Sequence, residues 1–145
     1  YWEDINKFTV VRNSWSRFYS IFGYLQKAKK IPINMTFSCF LQETYNIFCN
    51  KNSNLNVFPK ILIPQVSFLK KPNGTIDKTI NVLKFENRDE ELTRYFKKFD
   101  IKFISSEKLM SSDFNENYKN VYKDFEVALV AKMYAEDIAR FNYKF

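Results

Sequence analysis

The residues with most chemistry in them lie close together near the start of the chain, where Arg12, Ser14 and Ser20 follow a short apolar run. Phe8-Thr-Val-Val11 is β-branched and apolar and reads as a buried strand. Arg12 then ends the strand, and Asn13 or Ser14 is placed to cap a helix through a side-chain oxygen. Strand, arginine, capped helix is an anion-binding geometry. The helix start offers unpaired N–H groups and the positive end of its dipole. Arg12 adds a fixed charge and a planar fork that matches phosphate oxygens. Ser20 falls in the second turn of that helix, where its hydroxyl is within reach of the same ligand. The plainer alternative has Arg12 in a surface ion pair and Ser20 packed.

Elements that would position these residues can be read along the chain. The first helix runs from 14 to about 27, with Trp15, Phe18, Tyr19, Phe22 and Leu25 at helical spacing on one face. A second runs from Thr36 to Phe48 with Phe37, Phe40, Leu41, Tyr45 and Phe48 as its stripe, and residues 50–56 follow as a polar loop. Residues 58–69 are apolar but broken by Pro59 and Pro64, which predicts extended, irregular chain. Lys71-Pro-Asn-Gly-Thr75 predicts a turn, because Asn-Gly tolerates positive φ. Residues 80–85 read as a strand, and Asn87 is placed to cap a helix running to about Phe99 with Leu92, Tyr95, Phe96 and Phe99 inward. Residues 101–104 predict a last short strand. Residues 105–120 are polar without periodicity, and Asp124 is placed to cap a closing helix to about Phe141 with Phe125, Ala128, Leu129, Met133 and Tyr134 as its apolar positions. Strands alternating with helices predict an α/β layer fold in one domain spanning residues 1–145.

The whole segment Phe8-Thr-Val-Val-Arg-Asn-Ser-Trp-Ser-Arg-Phe-Tyr-Ser-Ile-Phe22 resembles the 3′-phosphate signature of the PAPS-dependent sulfotransferases of the Golgi/carbohydrate type, family 2-like. Three further segments match in order. Ile63-Pro-Gln-Val-Ser-Phe-Leu69 resembles that family's Pro-Gln segment. Val82-Leu-Lys-Phe-Glu-Asn87 resembles its Phe-Glu-Asn strand end, and residues 130–145 resemble its closing helix and Phe-x-Tyr-x-Phe end. The resemblance spans nearly all 145 residues. It implies a P-loop nucleotide-kinase-like fold with a central parallel sheet flanked by helices. It also implies transfer of a sulfuryl group from PAPS to a hydroxyl, on a carbohydrate, leaving PAP. Arg12 and Ser20 are the positions it assigns to the 3′-phosphate, and Arg17 is expected to support the loop. Gln65 is expected either to line the acceptor pocket or to brace backbone, and Glu86 to be structural, with a base or substrate-holding role as the alternative.

The chain also departs from the pattern. Ser14 stands where the family has Pro, Ser16 where it has Asp, and Ile61 where a His often lies. No general base for the acceptor is therefore nominated. The family's Pro-Lys-x-Gly-Ser/Thr-Ser/Thr loop, which would wrap the 5′-phosphosulfate, has no counterpart in these 145 residues. Either it belongs to the complete protein or the segment is an inactive nucleotide- or glycan-binding module. Sulfuryl transfer is an in-line displacement that needs charge stabilisation on the leaving group, and Arg12 and Ser20 cannot supply that alone.

Composition narrows the classes further. There is no His, which excludes a Ser-His-Asp triad, a Cys-His pair and HExxH zinc chemistry within the segment. Cys39 and Cys49 are too few for a tetrahedral zinc site, and no metal is expected. They read as two buried thiols, with a disulfide as the alternative. Aromatics make up 19% of the residues, enough to require a packed core. The net charge of +7 points to anionic partners, with a solvated Lys-rich surface as the alternative. Lys interleaved with aromatics also admits nucleic-acid stacking, but the helical spacing of the aromatics assigns them to the core. Adjacent Glu136 and Asp137 face different sides of a helix and read as solvated charge. No window is apolar enough to span a bilayer, and the Lys-, Asn- and Phe-rich composition leans to a cytoplasmic rather than a Golgi-lumenal protein.

Overall fold

Asn13 decides where the first helix begins. Its side-chain oxygen accepts from the backbone N–H groups of Trp15 (3.1 Å) and Ser16 (3.3 Å), two of the donors that a helix start leaves unpaired. In the computed structural model, which describes residues 5–50, 60–104 and 118–145, α1 accordingly spans Ser14–Lys27. Thr36 does the same for α2, Phe37–Cys49, by accepting from the Cys39 N–H. The strands are β1, Lys7–Val11, and β2, Ile80–Lys84. The remaining helices are α3, Arg88–Lys97, α4, Asp124–Met133, and α5, Ala135–Phe141. The described residues thus form a mixed α/β protein with five helices and one two-stranded parallel sheet. No helix among them is long and apolar enough to cross a membrane.

The described residues fall into two compact units. The first contains 5–12 and 65–104. Its sheet pairs β1 with β2 in the register Lys7↔Ile80 to Val11↔Lys84. Leu83, Leu92 and Tyr95 form a small core, with Val10, Phe96 and Phe103 packed against it. Beside the sheet, Lys7 Nζ donates to the buried Asp77 (3.2 Å). The other carboxylate oxygen accepts from the Thr79 hydroxyl and N–H. Those Thr79 bonds, reinforced by Lys7, hold the Asp77 carboxyl well below the usual carboxylate range.

The second unit contains 13–50, 60–64 and 118–145. Its core joins Trp15, Phe18, Ile21 and Phe22 of α1 to Phe37, Phe40 and Leu41 of α2, with Leu62, Val130, Met133 and Tyr134. The rings meet tilted or edge-on: Phe18 to Phe40 at 5.2 Å, Phe22 to Phe37 at 5.5 Å and Phe37 to Tyr122 at 4.9 Å. These aromatics are core, as their spacing predicted.

Several expectations are corrected. Residues 60–62 and 65–69 are 3₁₀ turns rather than extended chain, on either side of Pro64. Residues 101–104 are not a strand. Asp100 takes a left-handed conformation (φ 55°), the Ile101 N–H returns to the Phe96 carbonyl, and Phe103 stacks on Phe96. Asn87 makes no side-chain cap bond to α3. Phe99 and Phe48 lie exposed near the ends of their helices, Phe99 edge-on to the Tyr95 ring at 5.5 Å.

The closing helix is two helices, interrupted at Tyr134 (φ −117°). Its buried face is Glu126, Val130, Met133, Tyr134, Asp137 and Phe141, whereas Phe125 and Ala128 are exposed. Helix α4 starts at Asp124, but the capping bond comes from Glu126, which accepts from the Lys123 N–H (2.8 Å). Both cysteines are free and exposed, since they sit on the outward face of α2. The Asn-Gly turn forms as predicted, with the Gly74 N–H on the Lys71 carbonyl and Gly74 at φ 81°. Residues 51–59 and 105–117, which include most of the two predicted polar loops, lie outside the described residues.

Candidate anion site at the end of the first strand

Arg12 sits one residue past the last ladder pair of the sheet, at the carboxyl ends of two parallel strands. Ligands of open α/β sheets bind at that end. Continuing the register brings Arg12 opposite Phe85, and the guanidinium carbon lies 4.7 Å from the centre of the Phe85 ring. Stacking a guanidinium on an aromatic face engages its plane and leaves its N–H bonds pointing along the edges, the directions in which it grips a phosphate or carboxylate.

The backbone of Arg12 lies beyond the β1–β2 pairs, and a side chain completes its bonding. Gln65 Oε1 accepts from the Arg12 N–H (2.8 Å), and Gln65 Nε2 donates to the Arg12 carbonyl (2.8 Å). One carboxamide thus mimics a neighbouring strand, meeting donor with acceptor and acceptor with donor. Gln65 is buried. Of the two roles the sequence left open for it, the structure shows backbone bracing. Three segments far apart in the chain, around Arg12, Gln65 and Phe85, therefore converge within the first unit.

Arg17 is held separately, in the second unit. Its Nη2 donates to the carbonyls of Ile61 (2.7 Å) and Ile63 (3.0 Å). The hydroxyl of buried Tyr134 donates to the carbonyl between them, that of Leu62 (2.8 Å). Three consecutive carbonyls, those of residues 61–63, are thereby fixed. Burial lowers the Arg17 pKa, opposed by Tyr134 and the buried Asp137, and burial pushes the Tyr134 phenol well up. Asp137, read as solvated, is fully buried, while Glu136 is exposed.

Ser20 lies half-buried in α1 and so belongs to the second unit, whereas Arg12 belongs to the first. Ser14, at the first position of α1, is buried, and its Oγ has no hydrogen-bond partner among the described residues. The C-terminal segment closes over the same helix: Asn13 Nδ2 donates to the Lys144 carbonyl (2.8 Å), and Phe145 meets Trp15 edge-on at 5.6 Å. Glu86 is exposed in the 3₁₀ turn Phe85–Asn87.

Sequence reasoning missed Lys7, Asp77, Glu126 and Asp137 as buried charges. The only signal was their placement beside apolar positions, which a solvated charge shares. No protein-family model matches the chain, and neither a curated protein nor a solved structure matches it.

Proposed function

We propose that the chain belongs to a PAPS-dependent sulfotransferase that sulfates a hydroxyl of a carbohydrate, with β1 and β2 as part of the parallel sheet of a nucleotide-kinase-like fold. The observation that carries this reading is the convergence on Arg12. The residues that resemble three separate motifs of that family meet as one arginine, one backbone clamp and one ring support. The resemblance assigns the 3′-phosphate to Arg12 and Ser20, and the role suits an arginine at a strand end. PAPS supplies the activated sulfuryl group, while the residues of this chain bind and orient the nucleotide.

A second reading is a nucleotide- or glycan-binding module without turnover, which the same braced Arg12 would serve. The first reading and the nucleotide-binding form of the second share the nucleotide site, and a sulfuryl-transfer assay with a labelled donor separates them.

Calorimetric titration with PAP tests the shared part. Wild-type protein is expected to bind, and Arg12→Ala to weaken binding by about 1.5–3 kcal/mol, the worth of a charged hydrogen bond. A folded wild type that ignores PAP, or an Arg12→Ala variant that binds it equally well, would overturn the reading.

A further inference from the structure

We infer that Gln65 is the positioning residue of the anion site: by clamping both backbone groups of Arg12, it fixes where the guanidinium is presented. The inference rests on the nucleotide reading above. Arg12 follows the last ladder pair, Val11↔Lys84. Strand ends fray more readily than strand centres, and a side chain rooted there moves with the backbone. Gln65 opposes that motion with two 2.8 Å bonds from one planar group. Its burial keeps water from competing for either bond. Only a carboxamide answers both backbone groups at once: a carboxylate has no donor for the carbonyl, and an apolar side chain has neither partner. Phe85 then sets the plane of the guanidinium. Backbone and plane are each fixed by a residue that need not touch the ligand, which is how a supporting shell preorganises a binding group.

The test is calorimetric titration of the full chain with PAP and with adenosine 5′-phosphate, which lacks the 3′-phosphate. Gln65→Met keeps length and bulk but loses both bonds. It is expected to lower PAP affinity by about 10-fold, the equivalent of one net hydrogen bond, and to leave adenosine 5′-phosphate binding unchanged. In the Arg12→Ala background the same substitution is expected to have no further effect, because a positioning residue acts only through the group it positions. Leu92→Ala, a core truncation in the same unit, controls for general loosening and is expected to leave the PAP preference intact.

Wild-type PAP affinity in a folded Gln65→Met variant would overturn this inference alone. So would a full additional loss in the Arg12→Ala background, or the same loss from Leu92→Ala. A wild type that does not distinguish PAP from adenosine 5′-phosphate would overturn the nucleotide reading and this inference together. Should Gln65→Met not fold, Gln65→Glu carries the test. It retains the acceptor for the Arg12 N–H, loses the donor to the Arg12 carbonyl, and is expected to show the same dependence on Arg12.

Discussion

Replacing Arg17 with methionine keeps much of the side chain's apolar stem and removes the guanidinium that holds residues 61–63 in place. Two carbonyls lose their donor, at 2.7 Å and 3.0 Å, and the charge opposing buried Asp137 disappears. One nitrogen serves both carbonyls, so their combined worth is taken as a single charge-assisted interaction of about 1.5–3 kcal/mol. Loss of the cation acting on Asp137 adds to this in the same direction. Urea unfolding followed by tryptophan fluorescence measures this. Trp15 is buried in the same unit, its indole N–H on the Val127 carbonyl (3.0 Å), and reports directly on that core. A double-mutant cycle with Asp137→Asn is expected to show favourable coupling between the two charges. A destabilisation under about 1 kcal/mol for Arg17→Met, with unchanged m-value, would refute the claim that this arginine holds the loop.

The hydroxyl of buried Tyr95 has no hydrogen-bond partner among the described residues, so Tyr95→Phe is expected to stabilise the protein by about 1 kcal/mol, the desolvation cost recovered; a loss of that size in urea unfolding would show that the hydroxyl is partnered. Burial raises the phenols of Tyr122 and Tyr134 far above the ordinary range, so the folded state keeps two protons that the unfolded chain releases near pH 10. Stability is therefore expected to fall as pH rises above about 10, by about 2.7 kcal/mol per pH unit for the two phenols. Tyr122→Phe or Tyr134→Phe should each halve that slope in alkaline unfolding curves; an unchanged slope would sink the assignment. Cys39 and Cys49 lie ten residues apart on α2, about 15 Å along its axis, beyond the roughly 7 Å a disulfide spans. Ellman's reagent is expected to titrate two thiols in the native protein. Cys39 should be the slower of an ordinary pair, its pKa raised by desolvation and by its hydrogen bond to Glu43; mass spectrometry finding an intramolecular disulfide would contradict the helix.

Residues that act on near neighbours were legible. Asn13 and Thr36 accept from N–H groups two or three residues on, and those caps start α1 and α2 where the sequence placed them. The aromatic stripe of α1 was readable because a period of three and four residues needs no knowledge of the partner. Arg12 stood out for the same reason, through its place between strand and cap. At the edges of these elements the local signal weakened: Phe48 and Phe99 continue their helical stripes yet stay exposed.

What sequence alone determined about this protein, then, is its short-range structure: helix starts, the β1 segment, the Asn-Gly turn and the arginine that follows the strand. Tertiary structure decided the pairing of β1 with a strand more than seventy residues away, and with it the meeting of Arg12 with Phe85. It decided that Gln65 braces the Arg12 backbone, and that residues 101–104, though strand-like in composition, are not a strand. It also decided that Glu126 and Asp137 are buried. The cost of burying Glu126 is offset by the Ser38 hydroxyl and the Lys123 N–H, and the buried Asp137 acts on Arg17 of a helix 120 residues away. Caps and periodicity are energies between neighbours, written in the sequence that makes them. The burial of a charge or the pairing of a strand depends on which distant group arrives to meet it, and that is settled only when the chain has folded.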